Sequence, residues 1–291
     1  MSKVAVMTDS VACIPKELAE KHQIEVVPAA NIMFDGQTYI DGVTISAAEA
    51  YQLLRKDPDR FVTSAITPGQ LMEVYRQLSA RSQEILFITL ASVLSAVFKT
   101  ANLAADIFKS ESSQTTIRVS DSRAVAGTQG LVVLAVAKAV AQGFGLDRVG
   151  SLVQQVRQKA GGVMMLDTLR YVYRTGRMSK LGARLVSLLN IKPINRLSEE
   201  GKIVFVDRVR KREDGYKRLL VLIRNEAGTD ALHFMITHAN APEMAERFSE
   251  LLKQNFNCLS MSISDFSPVM GYGSGPGTLF IGFHPELDLL K

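Results

Sequence analysis

Short apolar runs alternate with amphipathic stretches through the first 160 residues. Strands are predicted at residues 3–8, 24–28, 85–90 and 116–120, and helices at 16–21, 46–55, 96–108, 124–142 and 147–160. Thr67, Pro68 and Gln70 form the pattern of a capped helix start, and Asp35-Gly36 is typical of a tight hairpin turn. Strands that alternate with helices in this way predict a parallel, Rossmann-like sheet with helices on both faces.

The pattern changes after Gly161-Gly162. An apolar run at 163–166 is followed by predicted strands at 202–207, 232–237, 259–264 and 278–283, with helices at 213–224 and 242–254. The turn sequence at 198–201 indicates an antiparallel hairpin. We therefore predict an N-terminal parallel α/β domain at 1–160 and a second α/β domain with a mostly antiparallel sheet at 161–291.

Composition indicates a folded protein and excludes several classes. The chain has 291 residues, 47% hydrophobic and 22% charged, which suits two globular domains. No apolar run reaches the roughly 20 residues that cross a bilayer, and the N-terminus leads straight into a strand. We expect a cytoplasmic protein without integral membrane contact, with Cys13 and Cys258 as unpaired thiols. The four histidines show no metal-ligand spacing, so neither a metal nor a cofactor is expected.

Hydroxyl residues gather where predicted strands end. The sets are Thr8 and Ser10, then Thr89, Ser92 and Ser95, then Ser120 and Ser122, and a fourth set, Thr63 and Ser64, is expected on a loop. In parallel sheets, ligands bind outside the carboxyl ends of the strands. Hydroxyls beside helix N-termini suit a carboxylate or phosphate, although each set alone would serve as an ordinary helix cap.

The segment Arg170–Arg212 concentrates positive charge. It contains 12 of the 34 Lys and Arg residues but only three acids, so it carries +9 while the whole chain carries +5 and the remainder −4. Such a local field attracts an anionic ligand or partner, although an ordinary solvated face is the alternative. Apolar residues are interleaved with the cations, which indicates a segment folded against something. Few aromatics accompany these cations, so nucleic-acid binding is not expected.

The motifs in and around this segment identify a family. They are Asp167-Thr168-Leu169 with Tyr171, Thr175–Ser179, Ile191-Lys192-Pro193, Gly201-Lys202-Ile203 and Val209–Arg212. Together with Thr8-Asp9-Ser10 and the Thr63–Gly69 stretch, they resemble the DegV family of bacterial fatty-acid-binding proteins and its EDD fold. The chain departs from the family pattern at Ala65, where glutamine is usual, at Ala96, where glycine is usual, and at Gly273, where histidine is usual.

The resemblance implies a long-chain fatty acid in an apolar tunnel between the two domains. It places the carboxylate near the hydroxyls of Thr63, Ser64, Ser92 and Ser95 and near Gly273, Ser274 and Gly275 of a glycine-rich loop, Gly271–Gly277. Small apolar residues of the helix 124–141 are candidates for the tunnel wall or for ordinary core.

The resemblance also implies a partner. The family presents its bound acid to a fatty acid kinase protein, which makes an acyl phosphate, so the chain itself is expected not to be an enzyme. Arg177 and Arg210 match arginines near the head group or the kinase surface. Because the histidine is replaced at Gly273, we expect an altered or lost transfer to the kinase and retained lipid binding.

Two other functions stay open. One is an enzyme or sensor that binds a small phosphorylated ligand through the basic segment. The other is a regulatory protein whose basic face docks an acidic partner protein. Nucleotide binding and serine hydrolysis are disfavoured, because Gly271–Gly277 lacks the Lys-Ser/Thr of a phosphate loop and no triad order is evident for Ser274. Asp9 and Asp121 are interpreted as turn and cap formers rather than metal ligands.

Overall fold

The computed structural model describes residues 4–112, 114–172 and 191–287. The strands are β1 (Val4–Asp9), β2 (Ile24–Val27), β3 (Ala30–Phe34), β4 (Gln37–Ile40), β5 (Val62–Ala65), β6 (Glu84–Thr89), β7 (Thr116–Asp121), β8 (Gly161–Met165), β9 (Lys192–Leu197), β10 (Ile203–Val209), β11 (Leu232–His238), β12 (Cys258–Asp265) and β13 (Leu279–Pro285). The helices are α1 (Lys16–Lys21), α2 (Ala47–Lys56), α3 (Pro68–Ser79), α4 (Val97–Glu111), α5 (Ala126–Ala141), α6 (Leu146–Lys159), α7 (Arg212–Ala227), α8 (Pro242–Asn255) and α9 (Pro268–Ser274), with a 3-10 turn at Ser10–Ala12.

The first sheet has the order β2-β1-β6-β7, and all its neighbouring strands are parallel. Its central strands, β1 and β6, are almost entirely buried, as expected for a parallel sheet covered on both faces. The parallel N-terminal sheet predicted from the alternation of strands and helices is therefore confirmed.

A small antiparallel sheet, β4-β3-β5, stands beside it. The β3–β4 hairpin turns at Asp35-Gly36, both with positive φ (53° and 80°), which confirms the predicted turn. The prediction that Thr63 and Ser64 lie on a loop is wrong. They belong to β5, where Thr63 pairs with Ile32 and Ser64 with Asn31. They also lie outside the parallel sheet, so they do not share its edge with the three hydroxyl sets that follow β1, β6 and β7.

The third sheet has the order β10-β9-β8-β13-β11-β12 and is antiparallel except between β11 and β12. This confirms the predicted second, mostly antiparallel sheet and the hairpin turn at 198–201. Lys192–Leu197 forms β9, the strand that pairs with β10 in this hairpin. The first strand of this sheet along the chain, β8, begins at residue 161. The division into two domains at residue 160 stays a prediction.

Helix α5 lies between the parallel sheet and the six-stranded sheet. All its residues except Lys138 and Ala141 are buried, which is the mark of a core helix rather than a surface helix. Gly127 and Gly282 allow the close approach, because an alanine Cβ at Gly127 would lie 2.3 Å from the carbonyl oxygen of Met235. Within the described ranges, no helix combines the length and apolar character needed to cross a membrane.

Candidate ligand-binding site

A cavity lies between the β3–β5 sheet, the loop after β6, helix α9 and one face of the six-stranded sheet. Its volume is ≈ 170 Å³. Five residues predicted for the site line it: Thr63, Ser64, Ser95, Gly273 and Ser274. The structure thus brings together residues that are far apart along the chain, from both sides of residue 160.

Thr63 and Ser64 supply hydroxyls from β5. Both are half-buried, and within the described part of the chain their hydroxyls make no hydrogen bond, so they remain available to a ligand. The β5 backbone is fixed by pairing with β3 on one side and by the capped start of α3 immediately after it. That cap is a complete capping box between Thr67 and Gln70, as the sequence predicts.

Ser95 brings the N-terminus of α4 to the cavity. Its hydroxyl accepts a hydrogen bond from the Val97 backbone amide at 3.4 Å, and the N-cap residue, Ala96, provides no side-chain cap. Both Ser95 and Ala96 line the cavity. The first-turn amides and the helix dipole therefore add partial positive charge where an anionic group would meet the hydroxyls.

Gly273 and Ser274 lie on a helix, not on the loop predicted for Gly271–Gly277. Ser267 caps α9 by accepting from the Val269 amide at 3.3 Å, and Pro268 occupies the first helical position. Helix α9 needs a glycine at 271, because a Cβ there would lie 2.3 Å from the Tyr51 hydroxyl. The glycine-rich loop is confined to the residues after Ser274.

Three predicted residues are not part of the cavity wall in the described structure. The Ser92 amide donates to Asp121 Oδ1 at 3.2 Å. Gly275 has a φ of +82° and packs against the Tyr171 ring, which a Cβ would approach to 2.2 Å. Arg210 is exposed just after β10 and does not line the cavity. Arg177 lies outside the described residues.

The remaining hydroxyl sets have structural roles. Thr8 donates to the Ile88 carbonyl at 2.8 Å, and Ser122 donates to the Ala124 carbonyl at 3.2 Å. Ser10 donates to Asp41 Oδ2 at 2.7 Å and accepts from the Ala29 amide at 3.1 Å. The Thr8 contact joins β1 to β6, and the Ser10 and Ser122 contacts fix the loops that follow β1 and β7, so these hydroxyls position the cavity wall rather than form it.

The buried carboxylate of Asp41 holds α9 against the N-terminal half. Its Oδ2 accepts from Ser10 and, at 3.0 Å, from Ser267. Burial raises the pKa of Asp41, and the two hydroxyls partly offset that rise. Tyr51 adds a second link by donating to the Phe266 carbonyl at 2.8 Å. The helix that carries Gly273 and Ser274 is thereby fixed from two sides.

Asp9 fixes the loop after β6. Its carboxylate accepts from the Leu90 amide at 2.7 Å and from Gln129 Nε2 and the Val11 amide, both at 3.2 Å. Complete burial raises the pKa of Asp9 to about 7, although these hydrogen bonds lower it in part. Leu90 lines the cavity, so Asp9 positions its wall without touching the space itself.

The cavity wall carries no charged side chain among the described residues. Apart from the hydroxyls and backbone, it is apolar, and the sequence did not reveal these wall positions as site residues. They are Ala29, Ala30, Leu90, Leu94, Met164, Ile203, Phe266, Val269, Met270 and Tyr272. Residues of α5 are absent from the described wall, so that helix is core here. The described wall contains no Asp, Glu, His, Lys or Arg side chain that could act as a general acid or base. It suits a ligand with an apolar body and a small polar head.

Part of the basic segment is neutralised by an acid. Asp167 Oδ1 lies 2.5 Å from Lys192 Nζ and 3.3 Å from an Arg212 guanidinium nitrogen. Lys192 is largely shielded from solvent, so its charge is committed to this pair. In the described part of the chain, no group of three or more His, Cys, Asp or Glu residues is arranged to hold a metal ion.

Comparison with known proteins gives full-length matches. A family model described as an uncharacterised protein of the DegV family matches residues 3–286. A DegV domain-containing protein of Caldanaerobacter subterraneus is 29% identical over 288 residues, which cover 98% of this chain and 100% of the relative. The structure of DegV from Bacillus subtilis, described as a fatty acid binding protein, is 26% identical with a TM-score of 0.84. A DegV family protein of Thermus thermophilus, described in terms of fatty acid binding, is 23% identical with a TM-score of 0.88. The matches to these two structures each cover 98% of this chain and 100% of the matched protein chain.

Proposed function

This chain belongs to the DegV family, and from that membership we propose that it binds a long-chain fatty acid in the cavity described above. The carboxylate lies at the hydroxyls of Thr63, Ser64 and Ser95, and the acyl chain lies along the apolar wall. The observation that carries the proposal is the uncharged cavity, whose described wall combines hydroxyls and a helix N-terminus with apolar residues. The fatty-acid-binding relative from Bacillus subtilis supports it.

The energetics of this arrangement are favourable. Each buried methylene contributes about 0.8 kcal/mol, so a long acyl chain supplies most of the affinity. The head group needs donors, because a carboxylate is costly to remove from water unless it is hydrogen-bonded. Neutral hydroxyls and the first amides of α4 can provide them, and hydrogen bonds to a charged acceptor are the stronger kind. The binding site therefore needs no cation in its wall.

We further propose that the chain is a carrier and not an enzyme, since the described wall holds no charged catalytic group. Presentation of the bound acid to a fatty acid kinase protein rests on the resemblance alone, with the exposed Arg210 as a candidate contact. Gly273 lines the cavity without a side chain, so we expect this transfer to be altered or lost. A cytoplasmic location stays a prediction; the free thiols Cys13 and Cys258 suit a reducing compartment.

The first test is the lipid content of protein purified from a bacterial host. Denaturing extraction followed by mass spectrometry is expected to recover a fatty acid in near-stoichiometric amount. Folded protein that carries no lipid and takes up none when fatty acids are added would contradict the proposal. The phosphorylated-ligand function would then be examined by thermal-shift measurements with phosphate and small phosphate esters.

The Thr63→Ala, Ser95→Ala double variant tests the head-group assignment. We expect fatty acid affinity to fall by roughly two orders of magnitude. Two hydrogen bonds to a charged group contribute about 1.5–3 kcal/mol each, and the loss is at the lower end of their sum because other donors remain. Thermal stability should change little, since both side chains are only half-buried. Affinity is measured by titration of delipidated protein with a fluorescent fatty acid.

A matched control is the Thr38→Ala, Ser110→Ala variant. Thr38 is exposed on β4 of the same small sheet, and Ser110 is exposed near the far end of α4, where its hydroxyl bonds to the Ile107 carbonyl. This control removes the same two functional groups from the same small sheet and from helix α4, away from the cavity, and should bind like the unmodified protein. Equal affinities for the two double variants would show that the carboxylate is held elsewhere.

A further inference from the structure

Asn195 is a buried amide without hydrogen-bond partners. Its side chain is completely buried in β9, and within the described part of the chain neither Oδ1 nor Nδ2 makes a hydrogen bond. A carboxamide has two donors and two acceptor sites, and burying them unsatisfied is unfavourable. Buried polar groups in native proteins almost always have a partner, so this amide calls for an explanation.

Strand pairing places Asn195 beside the cavity wall. It lies directly opposite Met164 of β8 on one side and Phe205 of β10 on the other. Directly opposite residues of antiparallel strands have Cβ atoms about 4.5–5.5 Å apart. Met164 lines the cavity, and Ile203, which also lines it, is the diagonal neighbour of Asn195 at roughly 7–8 Å. The Asn195 amide therefore lies directly behind a residue of the cavity wall, Met164.

The direction of the side chain follows from the alternation along β9. Ile194 packs into the core on the α7 and α8 side of the sheet, while Leu197 packs into the same core as Met164. Successive residues of a strand point to opposite faces, so Asn195 shares the face of Leu197 and Met164. That face looks toward the N-terminal half and the cavity.

The neighbours of Asn195 on this row are apolar and cannot satisfy the amide. Met164 has an unbranched thioether side chain, which changes conformation more readily than a branched or aromatic one. A rotation of Met164 would extend the cavity from its apolar wall to the amide. A ligand that enters there meets a hydrogen-bonding group on β9, in a different sheet from the one that carries Thr63.

We propose that the ligand of this chain is a fatty acid with a hydroxyl group along its acyl chain, and that Asn195 is the residue that selects it. The inference rests on the proposed fatty acid binding and specifies its substrate class. A hydroxyl both donates and accepts, so it can pair with Oδ1 and Nδ2 of one amide. An unsubstituted acyl chain leaves both atoms unsatisfied. Sites built to hydrogen-bond a hydroxyl discriminate against analogues that lack it.

Competition between chain-matched acids tests the assignment. Delipidated protein is offered octadecanoic acid together with a panel of octadecanoic acids that carry one hydroxyl at different mid-chain carbons. The unmodified protein is expected to retain at least one hydroxy acid roughly tenfold better than octadecanoic acid, the ratio that one net hydrogen bond provides. In Asn195→Leu the preference should disappear or reverse, and thermal stability without ligand should rise.

Thr237→Val is the matched control. Thr237 is also fully buried with a hydroxyl that has no partner in the described ranges, and it lies in the same row across the sheet. Phe280 separates it from Met164, so the selectivity ratio should not change.

Two results overturn the inference. One is a preference for octadecanoic acid in the unmodified protein. This measurement does not depend on whether a variant folds. The other is the same ratio in Asn195→Leu as in the unmodified protein. In both cases the protein still binds octadecanoic acid and the proposed function stands. Failure to bind any of the acids would instead overturn both proposals.

Discussion

Gly282→Ala is expected to lower the free energy of unfolding by about 3 kcal/mol, at the upper end of what overpacking a core produces. An alanine Cβ at this position would lie 2.3 Å from the Gly127 carbonyl carbon and 2.3 Å from the Thr128 backbone nitrogen. Both atoms belong to the backbone of α5, so no side-chain rotation relieves the contact. Helix α5 would have to move away from the six-stranded sheet and leave poorly packed space along its length.

Chemical denaturation measures this change, and Gly69→Ala is its control. Gly69 lies in the first turn of α3, and nothing approaches within 4 Å of the added methyl group. That substitution should change stability by no more than about 0.5 kcal/mol, because exposed sites away from special features tolerate replacement. If Gly282→Ala were equally mild, the helix and sheet would not be in the backbone contact described here.

The second large effect is a pH dependence that originates at Asp9. Its pKa is raised from 3.8 in an unstructured chain to about 7 in the folded protein, chiefly by burial. Between these values the folded protein retains a proton that the unfolded chain has released. Asp9 therefore makes the folded state progressively less stable as pH rises from about 4 to about 7, and the effect is constant above that range. The total is roughly 4 kcal/mol.

Asp9→Asn should remove this contribution. The side-chain oxygen of the asparagine can still accept from the Leu90 amide. Gln129 Oε1 has no partner in the described residues, and after a flip of the Gln129 amide it can accept from the new amino group. The free energy of unfolding is measured at about pH 5 and at about pH 8. Its decrease between these pH values should be several kcal/mol smaller in the variant than in the unmodified protein. Asp230→Asn, an exposed replacement, should keep the slope of the unmodified protein, and an unchanged slope in Asp9→Asn would show that Asp9 titrates normally.

Local features of the fold could be predicted from the sequence because their interactions lie within a few residues. The capping boxes at Ser46 and Thr67 and the turn at Asp35-Gly36 are of this kind. Strand β5 could not be predicted, because Val62–Ala65 is short and becomes a strand by pairing with β3. Helix α9 was missed for a related reason: its glycines suggest a loop, whereas the Ser267 cap and contacts with Tyr51 decide its structure.

The candidate site divides in the same way. Its hydroxyls were predicted through the family resemblance, since Thr63 and Ser95 fall in recognisable motifs. The apolar wall could not be predicted, because residues such as Met164 and Phe266 have the same character in a cavity as in a solid core. Asn195 is one of three polar residues in β9, beside Lys192 and Arg196, and its cross-strand neighbours become known only when the strand register is known.

The position of α5 has a consequence for the order in which the protein can form during synthesis. The helix leaves the ribosome long before β11 and β13, the strands that cover its second side. Until Leu279–Pro285 has emerged, the nascent chain exposes an apolar helix surface, the kind of surface that chaperones bind and that promotes aggregation. We therefore expect chains cut short before β13 to be insoluble, even though their own parallel sheet would be complete.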